Sequence, residues 1–273
     1  MGYVEIQKRT PVQNLITGSI AGSSVFVSTL PLDYVKQWKQ SGHTIYDINR
    51  NIRQNGYRVL FRGGLIGSAV IAPQIATKLG ALSIWNNIIP KNDNNSVTRK
   101  MKLGFLAGFV DGFIFGPILA IQSYQQLKPK ETVIKSFNTI KKSSLIKYCY
   151  PLAYRNAFYT MPVFGLVYPL QNNIFTRKNK TIERHISEIF VSASILNIFG
   201  TLLCSPFDVI RAQQIKLLTE KKNNNMLEII KDLWNKKGVK GFYNGYGSLF
   251  INFAMRFPLT LMVNEYLGYH FYK

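Results

Sequence analysis

Paired acidic and basic side chains follow a proline at the same spacing in two parts of this 273-residue sequence. In both copies the acid comes two residues after the proline and the base comes five residues after it. Opposite charges of this kind either form ion pairs between segments or cap helix ends at a polar interface. The repeated offset favours ion pairs. The two segments are Pro31-Leu32-Asp33-Tyr34-Val35-Lys36 and Pro206-Phe207-Asp208-Val209-Ile210-Arg211.

A third proline completes a repeat of nearly constant length. Pro117 lies 86 residues after Pro31 and 89 residues before Pro206. This middle copy departs from the charge pattern, because Leu119 stands where the acid belongs and Gln122 stands where the base belongs. Proline inside a helix removes a backbone hydrogen bond and bends the helix, so the three prolines predict helices kinked toward a common axis.

Single basic residues interrupt three apolar runs, at Lys78, Arg155 and Arg256. A cation in the hydrocarbon region of a membrane costs about 3 kcal/mol or more unless it faces water or a partner. The three bases therefore predict a shared polar cavity, and snorkelling of Lys78 and Arg155 to the membrane surfaces is the alternative. Asp111, in another apolar run, either neutralises one of these bases, couples an ion or packs against a neighbouring helix.

The elements that must position these groups are six apolar runs that carry at most one charge each. A helix rises ~1.5 Å per residue and needs roughly 20 residues to cross a membrane, and every run reaches that length. The predicted fold class is therefore all-α, a membrane protein with six transmembrane helices. More polar amphipathic stretches after the prolines predict short interfacial helices. The spans are 12–32, 64–90, 103–126, 150–176, 187–207 and 245–264, and the short helices are 46–54, 132–142 and 226–236.

The sequence resembles the mitochondrial carrier family, whose signature is P-x-[DE]-x-x-[KR] followed by a glycine-containing motif with an aromatic residue, a base and glycine. The resemblance rests on the two complete proline motifs and on Phe61-Arg62-Gly63 and Tyr243-Asn244-Gly245. It extends over nearly the whole chain and is weakest in the middle repeat. It implies one carrier domain over 1–273, built from three pseudo-symmetric repeats over about 10–92, 97–178 and 183–273.

In this family the acid of each motif pairs with the base of the next motif and closes the matrix side. Around such a ring, Asp208 and Lys36 keep an ion pair and Asp33 keeps a hydrogen bond to Gln122. The contact between Leu119 and the base of the last motif is lost. A weakened gate is therefore expected. The resemblance implies that its members are Asp33, Lys36, Gln122, Asp208 and Arg211.

The expected solute site combines the three intramembrane bases with positions that the family uses for contact with its solutes. Measured from Gly63, Leu152 and Gly245, the bases lie 15, 3 and 11 residues along their helices. Because these offsets differ by multiples of four, the three side chains share one broad helix face. The predicted substrate-binding residues are Val70, Lys78, Arg155, Tyr159, Thr160, Asn252 and Arg256.

Three cationic groups favour an anionic solute, and nucleotides or other phosphorylated compounds are favoured over small carboxylates. The net charge of +21 is concentrated between the apolar runs, so anionic lipid, cardiolipin in particular, is an expected partner and nucleic acid is not. The cysteines and histidines lack metal-ligand spacing. We expect a monomer with no metal, no cofactor and no enzyme activity.

The expected function is transport of a small anionic metabolite by alternating access across the mitochondrial inner membrane or a related organelle membrane. The alternative is a degenerate protein of the carrier fold that no longer transports and serves as a membrane scaffold or receptor. The altered middle repeat supports that alternative, whereas the retained acids, gate bases and intramembrane bases argue against it. A channel-like uniporter follows if the weakened gate leaks.

Overall fold

The computed structural model describes residues 10–89, 97–174 and 182–271, which are helical apart from short connections. This confirms the all-α class. The repeat boundaries predicted at 92 and 178 lie outside the described residues. The described α-helices are α1 Pro11–Gln40, α2 Ile45–Asn55, α3 Gly64–Ile88, α4 Val97–Leu127, α5 Val133–Lys142, α6 Cys149–Ile174, α7 Ile182–Thr219, α8 Met226–Lys237 and α9 Tyr246–Phe271.

One order of elements occurs three times along the chain. A long helix is followed by a short helix, a 3-10 turn and a second long helix. The short helices α2, α5 and α8 begin at polar caps, and Thr44 and Asp47 form a reciprocal capping box at the start of α2. The three 3-10 turns are Tyr57–Phe61, Leu145–Tyr148 and Gly238–Tyr243.

The six long helices of the described chain pack in a closed ring in the order α1, α3, α4, α6, α7, α9 and back to α1. Four segments are long and apolar enough to cross a membrane by length and composition: Val12–Gln40, Tyr57–Ile88, Val97–Leu127 and Phe190–Thr219. Large apolar side chains also lie exposed on the long helices, as expected for contact with lipid. They include Ile20, Ile84, Ile114, Phe199, Leu202 and Ile251.

Glycines bring α4 and α6 into close contact. A Cβ atom at Gly112 would lie 2.3 Å from the carbonyl oxygen of Leu152, and one at Gly108 would lie 2.5 Å from that of Asn156. Gly116 meets the carbonyl of Tyr148 in the same way. Small residues four apart allow such backbone contact between helices in lipid.

The motif prolines lie inside continuous helices. Pro31, Pro117 and Pro206 are all internal to their helices, and α1 continues to Gln40, beyond the predicted end of the span at 32. The polar side chains that follow the prolines are buried inside the ring and find partners there, as Asp33 does. The charges of the two motifs consequently point into the protein rather than capping helix ends.

The alignment of the middle repeat requires a correction. Gly63 and Gly245 directly precede α3 and α9 and have positive φ angles of 76° and 73°. The residue in the same place before α6 is Tyr148, four residues earlier than Leu152. Measured from these three helix starts, Arg155 lies 7 residues along its helix, Arg256 lies 11 and Lys78 lies 15. The three bases therefore follow one another in steps of one helical turn.

Candidate functional site

A cavity of about 270 Å³ lies inside the helix ring. Most of the residues that the sequence predicts for solute binding and for the gate line this cavity. Phe253 and Phe257 form apolar parts of its wall. All six long helices contribute residues to its lining, so the ring as a whole forms the site. The predicted residues that line the cavity are Asp33, Lys36, Lys78, Gln122, Arg155, Tyr159, Thr160, Arg211 and Arg256.

Lys36 joins the two complete proline motifs. Its Nζ lies 3.4 Å from Oδ2 of Asp208 on α7 and 3.3 Å from Oδ1 of Asp33 on its own helix. Gln122 Nε2 donates to Asp33 Oδ2 at 3.2 Å, and Gln126 Nε2 donates to the same oxygen at 3.0 Å. The ion pair and the hydrogen bond expected from the sequence are therefore present, and Gln126 adds a second donor that the motif did not reveal.

The expected loss of a contact at Arg211 is wrong. Although Leu119 has no carboxylate, Arg211 Nη2 donates to the backbone carbonyl oxygen of Leu119 at 2.8 Å and to Ser123 Oγ at 2.7 Å. A guanidinium group has five N–H donors and can use any acceptor in reach. The main chain and a serine hydroxyl thus replace the missing acid, and α7 remains joined to α4 at this point.

Arg155 and Arg256 each share an acid with the predicted gate. Arg155 Nε lies 3.5 Å from Asp208 Oδ1, and Arg256 Nη2 lies 3.7 Å from Asp33 Oδ1. Their guanidinium groups also lie over aromatic rings, Arg155 over Phe253 and Arg256 over Phe26, each 4.8 Å from the ring centroid. Such stacking favours a cation in a partly dry site.

Lys78 pairs with the acid whose role the sequence left open. Lys78 Nζ lies 3.2 Å from Asp111 Oδ2, and Asn156 Nδ2 donates to the same oxygen at 2.7 Å. Arg155 Nη1 in turn donates to Asn156 Oδ1 at 2.6 Å. Asp111 therefore neutralises one of the intramembrane bases while also packing between α3 and α6.

Three guanidinium nitrogens in the site are buried without a hydrogen bond among the described residues. They are Arg211 Nε and two nitrogens that lie within ion-pair distance of a carboxylate, Arg155 Nε near Asp208 and Arg256 Nη2 near Asp33. Buried donors are nearly always paired in folded proteins, so unpaired guanidinium nitrogens beside a cavity need an explanation. An anionic solute would supply acceptors within hydrogen-bond distance of these nitrogens.

Two predicted substrate-binding residues lie away from the cavity. Val70 and Asn252 are buried, with 7% and 0% of their surface exposed, and neither lines it. Gln74, one turn after Val70, does line it, as does Ser123. Gln74 is an amide within an apolar run, and that polarity is the sequence signal that could have identified it as a residue of the cavity wall.

Comparison with known proteins assigns this arrangement to a class. Residues 183–273 match the family model described as "Mitochondrial carrier protein". The chain is 24% identical to "Probable mitochondrial 2-oxodicarboxylate carrier" of Dictyostelium discoideum, over 93% of this chain and 89% of that protein. It is 24% identical to "Mitochondrial 2-oxodicarboxylate carrier 2" of Saccharomyces cerevisiae, over 86% of each chain. It is 23% identical to a mitochondrial adenyl nucleotide antiporter of Danio rerio, over 97% of this chain and 60% of that one.

A ring of long apolar helices around a charged cavity is an arrangement suited to the passage of a solute through a membrane. The chain is similar to mitochondrial carriers, through the family model over residues 183–273 and through relatives that align over most of its length. The printed names of these relatives describe carriers, and the long apolar helices of the described residues fit a multi-pass membrane protein.

Proposed function

We propose that the protein carries a small dianionic metabolite, of the dicarboxylate class, through the central cavity by alternating access. The observation that carries this proposal is the charge of the site. Five bases line the cavity, Lys36, Lys78, Arg155, Arg211 and Arg256. Among the described residues they contact three acids, Asp33, Asp111 and Asp208. This leaves an excess of two positive charges, which a dianion would balance.

The size of the cavity favours a small solute. Its volume of about 270 Å³ lies below the range of roughly 300–1,000 Å³ that is usual for sites of drug-sized ligands. An adenine nucleotide with two or three phosphates is larger and carries more negative charge than the site can balance. The proposal therefore reverses the order of preference drawn from sequence, and the names of the two 2-oxodicarboxylate carriers support the same class.

The shared acids suggest how solute binding opens the gate formed by Asp33, Lys36, Gln122, Asp208 and Arg211. A carboxylate of the solute competes with Asp208 for Arg155, and the other carboxylate competes with Asp33 for Arg256. Each guanidinium that turns toward the solute leaves one fewer contact between the helices of the gate. Opening then follows binding because Asp33 and Asp208 contact both the bases of the solute site and the bases of the gate.

We also propose that the three units of 10–92, 97–178 and 183–273 form one carrier domain that works as a monomer, with anionic lipid, cardiolipin in particular, at its short-helix end. The repeated order of elements supports the first part. Exposed apolar side chains on α2, α5 and α8 beside many basic residues support the second. They include Tyr46, Ile134, Leu227 and Trp234.

Uptake by purified protein in liposomes tests the proposed function. The radiolabelled solutes are 2-oxoglutarate, ADP and glycine, each measured with and without the same unlabelled compound inside. We expect uptake of 2-oxoglutarate well above that of the other two. Preferred uptake of ADP would restore the nucleotide class. A folded protein that transports none of these and no other small anion would support the scaffold alternative.

A further inference from the structure

Asp111 is a fully buried carboxylate that contacts two side chains through a single oxygen atom. None of its surface is exposed, and it lies on α4 behind the cavity rather than on the cavity wall. Lys78 Nζ lies 3.2 Å from Asp111 Oδ2, and Asn156 Nδ2 donates to the same oxygen at 2.7 Å. The other oxygen, Oδ1, has no hydrogen-bond partner among the described residues. An amide oxygen in the place of Oδ2 could therefore accept both contacts.

The backbone on both sides of this contact is held by the close packing of α4 on α6. Gly108 and Gly112 lie on either side of Asp111 along α4, and the backbone of α6 lies directly against both glycines. The carbonyl oxygen of Asn156 meets Gly108 and also accepts from Thr160 Oγ1 at 2.8 Å. With the backbone held in this way, hydrogen bonds decide which end of the Asn156 amide faces Asp111.

The amide of Asn156 connects Asp111 to Arg155. A carboxylate that is paired with a lysine accepts hydrogen bonds and donates none, so the amide nitrogen of Asn156 must face Asp111. The amide oxygen then faces Arg155, whose Nη1 donates to it at 2.6 Å. If the amide turned over, its nitrogen would face the guanidinium group and two donors would meet. The acceptor oxygen of Asp111 therefore keeps an acceptor in front of Arg155.

Arg155 is the base of the cavity wall whose orientation depends on this connection. Its Nη1 is held by Asn156, its Nε lies 3.5 Å from Asp208 Oδ1, and its guanidinium group lies over the ring of Phe253. These contacts come from different sides and together fix the plane of the group. A guanidinium binds a carboxylate best through two parallel N–H donors, so its plane decides how well it binds one.

We propose that Asp111 is a positioning residue that sets the preference of the site for a dianion. Acting through Asn156, it holds Arg155 in the orientation that binds one of the two carboxylates of the solute. The inference rests on the proposed transport of a dianion, and it assigns a role in selectivity to an acid that does not touch the solute. The contact between Asp111 and Lys78 is separate from this role.

Competition for the uptake of radiolabelled 2-oxoglutarate into proteoliposomes tests this role. The competitors are unlabelled 2-oxoglutarate and 2-oxopentanoate, which has the same carbon chain but lacks the second carboxylate. The concentration of 2-oxopentanoate that halves uptake, divided by that of 2-oxoglutarate, measures the preference for a dianion and does not depend on the amount of folded protein. In Asp111→Leu this ratio should fall about tenfold, because the loss of one hydrogen bond to a charged group weakens binding by at least that factor.

Two further variants separate the acceptor oxygen of Asp111 from its charge. Asp111→Asn removes the same charge beside Lys78 but keeps an oxygen to which Asn156 can donate, so it should keep most of the wild-type preference. Asn156→Leu breaks the connection on the cavity side and leaves the pair of Asp111 and Lys78 in place. It should lose the preference as Asp111→Leu does, and the double variant should be no worse than either single variant.

A ratio that falls equally in Asp111→Asn and Asp111→Leu would overturn the inference, because charge rather than the acceptor would then set the preference. An unchanged ratio in folded Asp111→Leu would also overturn it and would leave the proposed transport intact. If Asp111→Leu fails to fold, a wild-type ratio in Asn156→Leu would have the same consequence. Absence of 2-oxoglutarate uptake by the wild type would overturn both proposals.

Discussion

Arg155 Nε lies 3.5 Å from Asp208 Oδ1, so a predicted solute-binding base shares its acid with the predicted gate. Asp33 and Arg256 repeat this relationship on the other side of the cavity, at 3.7 Å. The solute site and the gate are therefore one connected set of charges rather than two separate groups of residues. Changes to either should alter both binding and opening.

Removal of the charge at Arg256 should greatly reduce anion uptake. The Arg256→Gln variant loses a guanidinium group that lies over Phe26 and whose Nε donates to Thr29 Oγ1. A hydrogen bond to a charged group contributes about 1.5–3 kcal/mol, so apparent affinity should fall roughly 10- to 100-fold. Uptake is measured in liposomes with Lys240→Gln, an exposed base, as control. Wild-type uptake by folded Arg256→Gln would contradict the anion site.

Cysteine substitution should distinguish the lining of the cavity from the buried positions beside it. Gln74→Cys places a thiol in the cavity wall, whereas Val70→Cys on the same helix places it in the packed interior. The native thiols of Cys149 and Cys204 are buried and should give little background. A small water-soluble thiol reagent should modify only the first variant, and solute should protect it. Equal labelling of both variants would contradict the assignment of Gln74 to the cavity wall and of Val70 to the packed interior.

A positive charge at position 122 should stabilise the closed gate. Gln122→Lys replaces a neutral donor to Asp33 with an ammonium group, and a charged hydrogen bond is about twice as strong as a neutral one. Each gain of about 1 kcal/mol raises the melting temperature by roughly 2–4 °C in a protein of this size class. Thermal unfolding in detergent should therefore shift upward, and transport should slow. Gln122→Met is the control, and a melting temperature no higher in Gln122→Lys than in Gln122→Met would argue against this contact.

Exchange of the charges at Asp208 and Lys36 should fail to restore transport. In Asp208→Lys with Lys36→Asp, the new lysine lies beside Arg155 and Arg211, and the new aspartate lies beside Asp33. Like charges replace attractive contacts on both sides, so the double variant should be no better than the worse single variant. Lys36→Arg keeps the sign and should retain most uptake. Transport restored by the exchange would mean that Asp208 and Lys36 interact independently of the neighbouring charges.

The close packing of α4 on α6 should depend on Gly112. In Gly112→Ala the added methyl group meets the backbone of Leu152 at 2.3 Å and forces the helices apart. Overpacking of this kind costs roughly 1–3 kcal/mol. Gly80→Ala is the control, because a Cβ atom there meets nothing within 4 Å and alanine is the better helix former. A lower melting temperature for Gly80→Ala than for Gly112→Ala would reject this packing.

The apolar runs were sufficient to predict an all-α membrane protein, because they depend on local composition and length. The contact between Asp208 and Lys36 was implied by the resemblance of the two proline motifs to the mitochondrial carrier family, and the structure shows it. A hydrophobic run of membrane length must form a helix, and a fixed offset from a proline places a charge on a known part of that helix.

The tertiary structure alone decided which groups meet across the ring. The partners of Arg211 include a backbone carbonyl, which every residue offers and no motif can single out. The pairing of Lys78 with Asp111 depends on the rotation of α3 relative to α4, and the start of α6 at Cys149 moved Arg155 by one turn. Side-chain pattern fixes the charge each helix carries, whereas helix rotation and depth determine where that charge is neutralised.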